Sequence, residues 1–78
     1  MWYVYFLELS NNNIYVGFSH DLKKRFKAHV EGEVYATSRF LPAKMKGFLA
    51  VETQKKAMEL ERYFKSGSGK AFLKKRFL

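Results

Sequence analysis

Glu61 is the carboxylate whose position in the sequence most strongly suggests chemistry. A helix is predicted here, and at about 100° per residue its apolar stripe consists of Ala57, Leu60 and Phe64. Glu61 lies close to that stripe, whereas Glu59 points nearly the opposite way. A carboxylate beside a core needs a partner or a function, because burying an unpaired charge is costly. The alternatives are a salt bridge to a nearby lysine and a stripe edge that reaches solvent.

Arg25 is the second candidate, because it borders the apolar face of another predicted helix. That face is formed by residues that recur at helical spacing, namely Leu22, Phe26, His29 and Val30. Arginine presents a planar fork of N–H donors that matches a phosphate, so Arg25 could bind one. The alternative is an ordinary surface cation. His29 lies one turn further on, where a histidine is more often part of a core edge than a catalyst.

Tyrosines form the third group of candidates. Tyr3 and Tyr5 lie on the same face of a predicted strand, and Tyr15 lies on the next strand. A phenol has a pKa of about 10, so a tyrosine needs assistance from its surroundings to act as a base at neutral pH. The alternative is aromatic packing in a small core.

A predicted β-hairpin positions these tyrosines. Residues 2–9 are nearly all apolar, which indicates a strand buried on both faces and central in its sheet. The turn-forming residues 10–13 lead into a second short strand over 14–18, so the pair is antiparallel. Gly17 interrupts that second strand and indicates either a close backbone approach or a change of direction.

Helices and a third strand complete the predicted order. Ser19 can cap a helix that runs to about Glu31 and stops at Gly32. The later segments are predicted as a loop over 33–43, a strand over 45–52, a helix capped by Thr53 that ends at the Ser-Gly-Ser-Gly stretch 66–69, and a short basic helix over 70–77. The expected fold is α/β (α+β), a three-stranded, mostly antiparallel sheet flanked by three helices in the order β-β-α-β-α-α.

Composition restricts the class of protein. The chain has 78 residues, which predicts a single domain over 1–78, and its 47% hydrophobic content excludes a disordered segment. The absence of cysteine excludes disulfides, zinc fingers and thiol catalysis, and favours a reducing compartment. A cytoplasmic location without membrane association is expected, because the sequence has no long apolar run and no basic signal-peptide region.

The charge of +8, from fifteen Lys and Arg against seven Asp and Glu, predicts a polyanionic partner, most often nucleic acid. Dispersed lysines favour contacts with phosphates over recognition of a base sequence. The alternatives are a soluble protein that happens to be basic and, more weakly, a membrane-surface protein.

The candidates occur in an ordered set of motifs. Tyr3-Val4-Tyr5 precedes Tyr15-Val16-Gly17, and Arg25 follows that glycine by eight residues. Further on come Ala57-x-x-x-Glu61-x-x-x-Lys65 and a basic tail over 65–73. The set resembles the GIY-YIG nuclease family over nearly the whole chain, in its short stand-alone bacterial form (the UPF0213 and excision-nuclease N-terminal types). Tyr3 replaces the glycine of the first triplet, and valine replaces isoleucine in both.

The resemblance implies a role for each candidate. Glu61 would hold one divalent cation, Mg²⁺ or Mn²⁺, which keeps most of its waters and takes further ligands from the substrate phosphate. Arg25 would hold the phosphate and offset the charge that grows in the transition state. Tyr5 and Tyr15 would position the attacking water, one of them as general base, with His29 as a helper. The cations assigned to nucleic-acid contacts are Lys23, Lys24, Lys27, Arg39, Lys65 and Lys70.

The function expected from the sequence is a metal-dependent endonuclease that hydrolyses phosphodiester bonds in DNA. The alternatives are a non-catalytic nucleic-acid-binding module that retains the same fold and a protein-interaction domain whose charge is incidental. The presence of all four principal candidates favours the enzyme: Tyr5, Tyr15, Arg25 and Glu61.

Overall fold

The computed structural model describes all residues, 1–78, and its elements follow the predicted order. The strands are β1 (Trp2–Glu8), β2 (Ile14–Ser19) and β3 (Lys44–Val51). The helices are α1 (Leu22–Val30), α2 (Tyr35–Ser38), α3 (Gln54–Lys65) and α4 (Gly67–Arg76). The predicted fold class is confirmed, with α2 as an additional four-residue helix inside the segment that was predicted as a loop. No helix is both long enough and apolar enough to cross a membrane.

The most apolar strand occupies the centre of the sheet, as predicted. The strand order is β2-β1-β3, and β1 pairs antiparallel with both neighbours. In this register Tyr5 lies opposite Gly17 on one side and opposite Phe48 on the other. The tight β1–β2 turn places Asn12 in the left-handed region, at φ 68°, which asparagine tolerates better than most residues.

Two apolar clusters lie on opposite faces of the sheet, because successive strand residues point to opposite sides. Val4 and Phe6 pack with helix residues of α3 and α4, including Phe64. Tyr5 and Leu7 face the other way and pack against α1. Tyr5 is therefore presented to α1 by strand geometry alone.

The N-cap of helix α1 lies two residues after the predicted one, so the assignment of Ser19 as the N-cap is wrong. Asp21 caps the helix, and its Oδ1 accepts the backbone N–H of Lys24 at 3.1 Å. A carboxylate at this position also complements the positive end of the helix dipole. Val30, expected on the apolar face, is 52% exposed, because it lies about 100° around the helix from His29.

The Ser-Gly-Ser-Gly stretch does more than end α3. Ser66 closes α3 and caps α4, whose first residue is Gly67, three positions before the predicted start. Its Oγ accepts the backbone N–H of Gly69 at 3.2 Å. A Cβ on Gly69 would overlap the carbonyl group of Tyr63, so the glycine allows α3 and α4 to meet at close range.

Candidate active site

Tyr5 is the centre of the candidate site. Its side chain is almost fully buried, and its Oη lies 2.8 Å from Nε2 of His29. The Nε–H group of Arg25 donates to the same oxygen at 3.4 Å. Positions 25 and 29 are one helical turn apart and therefore share a face of α1. One strand and one helix thus bring three of the predicted site residues into direct contact.

A threonine that sequence analysis missed holds the other side of His29. Thr37 is fully buried, and its Oγ1 lies 2.8 Å from Nδ1 of His29. The same hydroxyl donates to the Val34 carbonyl at 3.4 Å, so it accepts from Nδ1–H. Nε2 then carries no proton and accepts the Tyr5 hydroxyl. The hydrogen bonds consequently run in one direction, from Tyr5 through His29 and Thr37 to Val34.

The surroundings of Tyr5, Arg25 and His29 set the protonation states of these three side chains. Burial, reinforced by the charge of Arg25, lowers the pKa of His29 to about 4. Burial also raises the pKa of Tyr5, although the hydrogen bond from Arg25 partly opposes the change. The hydrogen bond with Tyr5 raises the pKa of Arg25. At neutral pH the site therefore contains a protonated phenol, a neutral imidazole and a guanidinium cation.

Strand β2 supplies Tyr15 and the glycine that makes room for Tyr5. The Tyr15 ring centroid lies 5.1 Å from that of His29 and 6.3 Å from that of Tyr5. A Cβ on Gly17 would lie 2.5 Å from the Tyr5 Oη and 3.0 Å from Cε1 of Tyr15. The close approach predicted at Gly17 is present, and it is made by the catalytic candidates themselves.

Glu61 is not part of this hydrogen-bonded cluster. It lies on α3 with a side chain that is 24% exposed, and its Oε2 is 3.3 Å from Nζ of Lys65. The salt bridge that sequence analysis gave as an alternative is therefore formed. The other four candidates make no hydrogen bond or ion pair with Glu61.

The His, Asp and Glu side chains of the chain can be compared with the ligands that metal ions require. No group of three or more His, Asp or Glu side chains is placed to hold one. The side chains present therefore do not fit a zinc site, which takes three or four protein ligands. A single carboxylate fits Mg²⁺, which retains waters and takes phosphate oxygens as further ligands. A single carboxylate such as Glu61 is therefore compatible with a magnesium-type cation and does not suit a cation that needs several protein ligands.

The predicted nucleic-acid-binding cations are spread over several parts of the surface. Lys24 and Arg25 line a shallow cavity of about 170 Å³ together with Ser19 and Asp21. Lys23 lines a larger cavity on the β3 side, and Lys70 lines a third cavity beside the β1–β2 turn. The remaining three are exposed: Lys27, Arg39 and Lys65. Of these cations, Lys24 lies beside Arg25 in the same cavity.

The chain is similar in sequence to bacterial proteins of the UPF0213 group. A UPF0213 protein from Cupriavidus necator is 36% identical over 62 residues, which covers 77% of this chain and 66% of that protein. A UPF0213 protein from Bacillus licheniformis is 34% identical over 70 residues, covering 87% and 71%. This chain spans just under two thirds of the first of these relatives.

A solved structure shares the fold. The solution NMR structure of the UPF0213 protein BH0048 from Bacillus halodurans matches with a TM-score of 0.59 at 30% identity. The match covers 94% of this chain and 82% of that one. Residues 1–76 also match the family model of the GIY-YIG catalytic domain. The resemblance stated from the motifs is therefore confirmed, and the chain belongs to the GIY-YIG nuclease family.

Proposed function

We propose that this chain is a divalent-metal-dependent endonuclease that hydrolyses phosphodiester bonds in DNA. The observation that carries the proposal is the hydrogen-bonded line from Arg25 through Tyr5 to His29. The Arg25 guanidinium, whose planar fork matches a phosphate, is bonded to the Tyr5 phenol. The phenol in turn can pass its proton to the neutral imidazole of His29. Action as a single domain over residues 1–78, a cytoplasmic location and a role in DNA repair are further parts of this proposal.

Arg25 is proposed to hold the scissile phosphate. Its Nε–H is engaged by Tyr5, which leaves the four N–H donors of its two terminal nitrogens for phosphate oxygens. Lys24 lies in the same cavity and adds a second positive charge. A phosphate bound there would lie beside the Tyr5 hydroxyl, because Arg25 contacts both. The guanidinium would offset negative charge as it develops in the transition state.

Tyr5 is proposed to act as a relay base. Since burial raises its pKa, the phenol does not ionise by itself at neutral pH. It can take a proton from the attacking water on Oη while its own proton passes to Nε2 of His29. The water becomes a nucleophile, the phenol stays neutral and the imidazole gains the proton. Tyr15 lies beside both rings and would help to position the water.

Substrate binding would make the proton transfer from Tyr5 to His29 more favourable. The charge of Arg25 is the second cause of the low pKa of His29, after burial. A phosphate that pairs with Arg25 offsets that charge, so the proton affinity of His29 rises when substrate is present. The free protein therefore keeps His29 neutral, and the complex makes it a better acceptor.

Glu61 is proposed to be the protein ligand of the cation, with its bond to Lys65 given up when the cation binds. When bound, such a cation stabilises negative charge on the leaving oxygen. The alternative, a non-catalytic nucleic-acid-binding module, is favoured by one observation. Glu61 already has a cationic partner in Lys65, so it has no need of a metal for its own stability.

A cleavage assay separates the two functions. Labelled duplex, branched and single-stranded DNA, with matched RNA, should be incubated with Mg²⁺, with Mn²⁺ and with EDTA. We expect cleavage of DNA with either metal and none with EDTA. The matched variant Arg25→Lys keeps the charge but loses the planar fork, so it should bind DNA almost normally and cleave far more slowly. Metal-independent binding without any cleavage would establish the binding module instead.

A further inference from the structure

We propose that the aromatic pair formed by the half-buried Tyr3 and the exposed Phe48 binds an unpaired base of the nucleic-acid substrate. The inference rests on the proposed nuclease function and adds a substrate class to it. That class is nucleic acid with an unpaired nucleotide close to the phosphate that Arg25 holds.

The pair lies on the same face of the sheet as the active site. Phe48 is directly opposite Tyr5 across the β1–β3 ladder, so the two side chains share a face. Tyr3 precedes Tyr5 by two residues and shares that face as well. The Tyr3 and Phe48 rings meet edge to face, with centroids 6.0 Å apart. Phe48 is nonetheless 50% exposed, which leaves ring surface free for a ligand.

A cavity opens in front of the two rings. It measures about 490 Å³ and lies between the aromatic pair and the first turn of α1. Its volume falls within the ~300–1,000 Å³ range of small-molecule sites, so it can admit a base with its sugar. Leu22, Lys23 and His20 also line the cavity. Two aromatic rings and a lysine in one cavity are suited to a base and its phosphate.

The cavity lies next to the phosphate-binding side of the site. Asp21 lines both this cavity and the one that contains Lys24 and Arg25. A strand that passes around the first turn of α1 can therefore place one phosphate on Arg25 and a neighbouring base on Phe48. Asp21 is the one carboxylate on that path, and its Oδ1 is engaged by the backbone N–H of Lys24. The net charge of +8 favours a polyanion there.

Only an unpaired base suits such a surface. A base inside a duplex has both faces covered by its neighbours, whereas an unstacked base offers a face to an aromatic ring. Stacking of this kind changes affinity by roughly five- to a hundredfold per base and tolerates any sequence. The aromatic pair would thus direct the nuclease to flaps, gaps or single-stranded ends. An apolar segment of a protein partner is the other possible occupant, and the experiment below distinguishes it.

Binding without catalysis tests the inference. A labelled, fully paired duplex and the same duplex with a single-stranded extension should be titrated with protein in EDTA. We expect the extension to tighten binding by the wild-type protein. Phe48→Leu keeps an apolar side chain but no ring, so it should lose about tenfold in affinity for the extended duplex and little for the paired one. Phe48→Trp should restore the affinity, and Tyr63→Leu, a half-exposed tyrosine on α3, should behave as wild type.

Several outcomes overturn the inference. Wild-type protein could bind both duplexes equally, Phe48→Leu could bind both as wild type does, or it could lose affinity equally for both. If Phe48→Trp binds as weakly as Phe48→Leu, the cavity selects shape and not a stacked base. Failure of the nuclease proposal looks different, because Phe48-dependent binding of the extension would persist in EDTA while Mg²⁺ produced no cleavage.

Discussion

The Tyr5 hydroxyl and Nε2 of His29 form a 2.8 Å hydrogen bond in the protein interior, where neither side chain is appreciably exposed. In such surroundings an unpaired polar group costs about 1–3 kcal/mol, so each residue stabilises the placement of the other. The bond therefore links the stability of the fold to the chemistry proposed for the site. Acid titration and variants of Thr37 and Gly17 test that link, and variants of Glu61 test the proposed metal site.

Acid should destabilise the protein through His29. Folding lowers the pKa of His29 from 6.5 to about 4, so between these values the unfolded chain binds a proton that the folded chain does not. The free energy of unfolding should fall by about 3 kcal/mol as the pH drops from about 6.5 to about 4. Denaturant titrations across this range would measure it. In His29→Gln the free energy of unfolding should no longer show this dependence on pH, whereas the control His20→Gln should keep it. Equal pH dependence in His29→Gln and wild type would contradict the assignment of the effect to His29.

We expect Thr37 to hold the imidazole of His29 in its orientation and tautomer. Thr37→Val keeps the shape but removes the acceptor of Nδ1–H, so stability should fall by roughly 1–3 kcal/mol. Cleavage should fall as well, with KM little changed, because the imidazole is no longer held in the tautomer that accepts the Tyr5 proton. Thr37→Ser retains a hydroxyl and should retain both properties. Full cleavage by the valine variant would show that the threonine only packs.

Gly17 should be required for the position of Tyr5. In Gly17→Ala the new methyl group would meet the Tyr5 Oη at 2.5 Å, so the phenol must move. We expect a loss of roughly 1–3 kcal/mol in stability and of about a hundredfold in cleavage. Gly67→Ala is the control, since nothing lies within 4 Å of its Cβ. That variant should cleave normally and be as stable as wild type or slightly more so.

Glu59, on the same helix as Glu61, provides a matched control for it. Glu61 pairs with Lys65 and Glu59 pairs with Lys56, each at 3.3 Å. Both pairs are partly exposed, so either Glu→Gln change should alter stability by at most about 1 kcal/mol. Only Glu61→Gln should abolish cleavage, because a neutral amide is a poor ligand for a hard cation. Its metal-free DNA binding should persist or tighten. Melting curves and cleavage assays on both variants test this, and an active Glu61→Gln protein would refute the metal site.

Local patterns in the sequence predicted the elements and their faces. Alternation along β1 placed Tyr3 and Tyr5 on one side, and the helical period of α3 placed Ala57 and Phe64 in the core, as observed. These predictions succeed because each element carries the pattern of its own buried face within a few consecutive residues. The predicted cap of α3, Thr53, is the observed one, whereas the cap of α1 was predicted wrongly because Ser19 and Asp21 are both good N-cap residues.

Sequence alone therefore determined the order of elements, the central strand, the basic charge and the residues that identify the family. Tertiary structure decided which groups meet. Thr37 comes from a segment without any period, yet its hydroxyl fixes the tautomer of His29. Phe48 faces the active site only because β3 pairs with β1 in one particular register. The reason is physical: periodicity encodes the face of an element, whereas the partner of a buried polar atom or an exposed ring depends on contacts between residues far apart in the chain.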